Sequence, residues 1–170
     1  YVAVPLAVTN LPSVNFYVGD VSLHSNTYYM YRRGSSYGLY SIELDEGSAD
    51  YLNTQRIIDG ASLDLRIFDF AFHPQNNFLY SVDSLGNLIR IGAEVGTFVV
   101  ISNVGQTGTF GAVYFDIDGR FYISRNSDGY IFRIDVGDDS PEAEFFAFGP
   151  ASGNNDGARC ALAPIISEES

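Results

Sequence analysis

Apolar runs and turn residues alternate along this chain with a long-range beat. Residues 68–92, "FDFAFHPQNNFLYSVDSLGNLIRIG", carry three apolar runs separated by two turns. Residues 110–135, "FGAVYFDIDGRFYISRNSDGYIFRID", repeat the rhythm. The third run places Ile42, Ile91 and Ile134 at steps of 49 and 43 residues. The first run places Leu23, Phe72 and Phe115 at the same two steps. The average period of about 46 matches a four-stranded propeller blade.

Each unit parses into four strands. Strand a covers Val21–His24, Phe70–His73 and Val113–Asp116. Strand b covers Tyr28–Tyr31, Phe78–Val82 and Phe121–Ser124, and strand c Leu39–Leu44, Leu88–Ile91 and Tyr130–Ile134. Strand d falls near Tyr51–Ile58, Thr97–Ser102 and Ala143–Phe148. The b–c links "RRGSSYG", "DSLGN" and "RNSDG" hold the Gly, Asn and Asp that hairpin turns need. The pattern predicts an all-β chain: a β-propeller segment with blades over about 20–59, 68–103 and 111–149. Half-blades are expected at 2–10, a lone strand d, and at 157–165, a lone strand a. A β-sandwich is the alternative, but it requires no such period.

A propeller must close, or its terminal blades expose apolar faces. Further blades from residues outside this sequence, or from a second chain, are the expected partners. Pairing of the two half-units into a thin closing blade is the alternative.

Composition narrows the function classes. Twenty-one acids against nine cations give a formal net charge of −12, and every cation is Arg. Such a surface repels phosphate backbones and anionic lipids, so no nucleic acid is expected as a partner. No run of 18 apolar residues is present, so no membrane-spanning helix is expected. The opening "YVAVPLAVTNLP" lacks the charged start of a signal peptide and reads as a strand. Cys160 is the single cysteine, so it has no partner within the sequence; its apolar setting "ARCALAPI" fits a small buried hydrophobe.

The stretches "FHPQNNFLYSVDSLGNLIRI", "GRFYISRNSDGYIFRIDV" and "NNDGARCAL" together resemble a propeller-like domain family of uncharacterised function. That family occurs in secreted and surface-exposed multidomain proteins. The resemblance covers roughly residues 65–165. It implies a β-propeller and an extracellular or cell-surface location. It transfers no catalytic residue.

In such a fold the b–c turns and d–a links gather on one face, where rigid blades hold polar loops for recognition. The expected face carries Arg32, Arg33 and Tyr37, then Asp83 and Asn87, then Arg125, Asn126 and Asp128. The links add Asp20, Asp69, Asn154, Asn155 and Asp156. The bland reading is that these Asn and Asp residues merely build turns. His24, His73 and Asp116 close strand a at matching positions; a turn cap repeated in each unit fits them better than a metal site. "DIDG" and "NSDG" resemble pieces of calcium loops, with Asp116, Asp118 and Asp128 as weak ligand candidates, but the distal Glu is missing. The sequence implies no definite cofactor, with calcium as the one candidate. Arg90 and Arg133 alternate with apolar residues in strand c and read as structural.

No nucleophile elbow, zinc-protease motif or phosphate loop is present. The leading expectation is a non-catalytic binding module that presents its loop face to a protein or glycan, or mediates assembly. The alternatives are a metal-dependent propeller hydrolase of lactonase or glycosidase type, using Asp20, Asp69 and Asp116, and a structural subunit of a surface assembly.

Overall fold

A computed structural model describes residues 5–157 and residue 163 of the 170-residue chain. The described residues form twelve strands and no helix. They build three four-stranded antiparallel meanders. Sheet I contains β1 (Val18–Ser22), β2 (Thr27–Arg32), β3 (Gly38–Glu43) and β4 (Thr54–Asp59). Sheet II contains β5 (Ala71–Phe72), β6 (Leu79–Val82), β7 (Asn87–Gly92) and β8 (Thr97–Asn103). Sheet III contains β9 (Phe110–Phe115), β10 (Arg120–Arg125), β11 (Tyr130–Asp135) and β12 (Glu144–Phe148).

The sheets meet through their first strands: β5 lies beside β1 on one side and β9 on the other. This is a propeller-like arrangement, and the three sheets do not form the two facing layers of a sandwich. The inner strands of sheet II, β5 to β7, are covered on both faces, while β8 is largely exposed. Phe72, Leu79, Ile89 and Ile91 pack toward sheet I, with Val18, Tyr29, Tyr31 and Leu39. Ala71, Tyr80, Val82 and Leu88 pack toward sheet III, with Val113, Phe115, Phe121 and Phe132. Burial on both faces explains why residues 68–92 read as continuous apolar runs rather than an apolar–polar alternation.

One aromatic contact recurs at both junctions. Tyr29 meets Phe72 edge to face at 5.3 Å, and Tyr80 meets Phe115 at 5.4 Å. Such pairs add about 0.5–1.5 kcal/mol beyond their area burial.

The strand pairing corrects the first-run alignment in sheet I. Tyr28 pairs with both Val21 and Ile42, as Leu79 pairs with Phe72 and Ile91 in sheet II. Val21, not Leu23, therefore matches Phe72, and Leu23 lies in the turn. The b–c hairpin of sheet I is longer, which displaces its a and b strands relative to strand c. Strand β1 accordingly begins at Val18, ahead of the expected Val21.

The outer strands share a bulge. Pairing shifts between Leu39 and Tyr40, between Leu88 and Ile89, and between Ile131 and Phe132. These positions follow the same 49- and 43-residue steps. The extra residues opposite them are Ile57, Ile101 and Phe146. Ile57 packs on the core between sheets I and II, Ile101 on the core between II and III, and Phe146 on Tyr122. A bulge re-aims a side chain and adds local twist.

Of the segment 2–10, the described part makes one parallel bridge, Thr9 to Asn53, rather than a strand. Val8 and Phe16 instead pack over Met30, Tyr40 and Ile42 of sheet I. The expected half-unit at 157–165, including Cys160, lies almost wholly outside the described residues.

Candidate functional site

Strand register places the loops. Val18 pairs with Tyr31, and Gly38 pairs with both Arg32 and Asp59. The entry to the first strand, the b–c turn and the exit of the last strand therefore share one end of each sheet. The other end carries the a–b turns.

At the a–b end, Ser22, His73 and Asp116 occupy one register position, and each caps its turn. The Ser22 Oγ accepts the His24 and Ser25 N–H groups, at 3.2 and 3.3 Å. The His73 Nδ1 accepts those of Gln75 and Asn76, at 3.1 and 3.3 Å. The Asp116 Oδ1 accepts those of Asp118 and Arg120, at 3.0 and 2.9 Å, while its Oδ2 accepts the Tyr122 hydroxyl at 3.0 Å. The cap repeats, with Ser22 rather than His24 in the first unit. Burial lowers the His73 pKa. Asp118 pairs with Arg120 at 3.4 Å.

Asp20 and Asp69 join neighbouring sheets. The Asp20 Oδ1 accepts the Val21 N–H and its Oδ2 accepts the Phe72 N–H, both at 2.8 Å. The Asp69 Oδ1 accepts the Phe70 N–H and its Oδ2 accepts the Val113 N–H, both at 2.9 Å. Each carboxylate thus clips its own first strand to that of the next sheet. Burial pushes the Asp69 pKa up to about 8, although its two backbone donors pull it down. Burial raises that of Asp20 as well.

At the loop end, most of the expected residues hold the loops. Arg32 lies over the Tyr37 ring at 4.8 Å and donates to the Asn15 carbonyl. Arg33 forms a two-pronged pair with Asp64, at 2.7 and 3.2 Å, which lowers the Asp64 pKa. The Asp83 Oδ1 accepts the Leu85 and Asn87 N–H groups at 2.9 Å, and its Oδ2 accepts the Asn87 side-chain amide. Arg125 grips Asp128 at 2.7 Å, lowering the Asp128 pKa, and reaches Gln106 at 3.1 Å. Asp116 and Asp118 sit before β10 and Asp128 sits after it, so the three do not converge. Among the described residues no group of three His, Cys, Asp or Glu is placed to hold a metal ion.

A cleft of about 710 Å³ opens among these loops. Phe16, Tyr17 and Phe68 are its aromatic lining, and Thr109, Asn126, Asn154, Asn155 and Asp156 its polar lining. Tyr17 is 51% exposed and Phe68 39%. The Asn126 Oδ1 accepts the Gly111 N–H at 3.0 Å, leaving its amide hydrogens directed to no partner among the described residues. The Asn155 amide donates to the Ser124 Oγ at 2.9 Å and fixes the loop beside β10. The side chains of Asn154 and Asp156 are exposed and make no hydrogen bond among the described residues. The structure thus brings Asn126, Asn154, Asn155 and Asp156 together, and leaves Arg32, Arg33, Tyr37, Asp83, Asn87, Arg125 and Asp128 outside the cleft lining. Sequence reasoning missed Phe16, Tyr17 and Phe68. The available signal was that "NFY" at 15–17 and Phe68 are aromatic positions in links, outside the strands of the repeat.

Among the solved structures that share the fold are two bacterial proteins. One is a protein of unknown function from Bacteroides thetaiotaomicron, with a TM-score of 0.62 and 20% identity, covering 79% of this chain and 34% of its own. The other is a gluconolactonase from Xanthomonas campestris, with a TM-score of 0.57 and 14% identity, covering 89% of this chain and 55% of its own. The chain therefore spans about a third and about half of their lengths. No curated protein matches the chain. A family model matches residues 3–162, and the chain belongs to that family, described as a repeat of unknown function (DUF6923).

Proposed function

We propose that the chain is a non-catalytic binding module of β-propeller type, whose loop-end cleft receives a protein or glycan ligand outside the cell or at its surface. The observation that carries this reading is the division of labour among the polar residues. Asp20, Asp69 and Asp116 hold backbone groups, while Asn154 and Asp156 stand exposed among the cleft's aromatic rings and make no side-chain hydrogen bond among the described residues. The hydrolase alternative needs those first three carboxylates around a metal ion, where each instead stabilises a strand or turn. Further sheets, from the same polypeptide or a second chain, are proposed to complete the ring. Support comes from the far side of sheet III, where Arg120, Arg133, Asp135 and Glu144 line a cleft of about 410 Å³. Thr27, Ser41, Glu43 and Gln55 hold the same register in sheet I, and there Glu94 of sheet II closes the space.

The test is a pH-stat assay with glucono-1,5-lactone and calcium. The binding reading expects no turnover above background. Turnover abolished by Asp69→Asn, in a variant that keeps its melting temperature, would overturn it.

A further inference from the structure

We infer that the loop-end cleft is a subsite for a neutral saccharide, an inference that rests on the binding-module reading above. Sugar rings present apolar C–H faces and equatorial hydroxyls at their edges. A matching site needs exposed aromatic rings together with free amide or carboxylate groups in one cleft. Tyr17 and Phe68 supply the rings, 51% and 39% exposed in the links that lead into β1 and β5. Asn126 offers amide donors, Asn154 both a donor and an acceptor, and Asp156 a carboxylate acceptor.

Charge selects among saccharides. Among the described residues no Arg or His lines the cleft, and Asp156 adds a negative charge. The whole chain carries −12. Phosphorylated sugars, uronic acids and other anions are therefore disfavoured. A protein ligand would find the same aromatic side chains, but the acidic surface around them would select a basic segment.

The experiment is an amide NMR titration of the chain with neutral hexasaccharides of glucose, mannose, galactose and xylose, beside an Arg-rich hexapeptide. The expected result is shifts confined to Tyr17, Phe68, Asn126, Asn154 and Asp156 with at least one saccharide. Tyr17→Ala and Phe68→Ala should each weaken binding about tenfold with the melting temperature unchanged. Asn154→Ala provides an independent variant on an exposed loop. Shifts at these residues with the peptide alone would overturn the saccharide assignment and leave the binding face standing. No shift with any probe would overturn both.

Discussion

At the residue scale, the carboxylate clips make the sharpest claims. Asp69 binds its proton more tightly folded than unfolded, because its folded pKa of about 8 lies above the ordinary carboxylate value. The folded state therefore holds more protons between those two values, and stability falls as pH rises through that window. Denaturant titrations from pH 5 to pH 9 should show this decline, and Asp69→Asn should flatten it. A second comparison separates a structural acid from a surface one. Asp116→Ala strands two turn N–H groups and the Tyr122 hydroxyl, and should cost about 1–3 kcal/mol. Asp118→Ala breaks one exposed ion pair and should cost under about 1 kcal/mol. Equal losses in urea melts would contradict the assigned roles.

At the element scale, the hairpin turns depend on two glycines in matching positions. Gly86 and Gly129 have φ of 85° and 73°, and a side chain on either would meet the backbone carbonyl of the link that crosses it, at Gln106 and Gly149 respectively. Gly105 has φ of 75° but open space around it. Gly105→Ala should cost about 1–2 kcal/mol for backbone strain alone. Gly86→Ala should lower the melting temperature further, because the link must also move.

The repeat was legible because Ile42, Ile91 and Ile134 sit in buried third strands, where spacing and burial coincide. The first-strand alignment slipped in sheet I because Leu23 is an apolar turn residue, 51% exposed, that imitates a strand position. The bulges were not legible, since one extra residue in a short outer strand leaves its apolar pattern readable either way. The clips were hidden for a related reason. Asp20, which proves to lie within β1, and Asp69, just before β5, both read as link residues, and the N–H that each accepts from the next sheet belongs to a strand 44 to 52 residues away. The aromatic lining was missed because Phe16, Tyr17 and Phe68 fall in links that the period does not describe.

At the scale of the whole molecule, three sheets share one construction: a capped a–b turn, an aromatic junction, and a bulged outer strand. The differences between sheets then carry the specific chemistry. The cleft draws its residues from the links before β1, β5 and β9, from the b–c turn of sheet III and from the segment after β12, so it exists only if the sheets stand side by side. The direct measurement is a set of NMR contacts between first strands in the isolated chain. The account predicts contacts from the Phe72 amide to Asp20 and from the Val113 amide to Asp69, joining β1 to β5 and β5 to β9. Contacts instead between the faces of sheets I and III, with none between those amides and carboxylates, would contradict it.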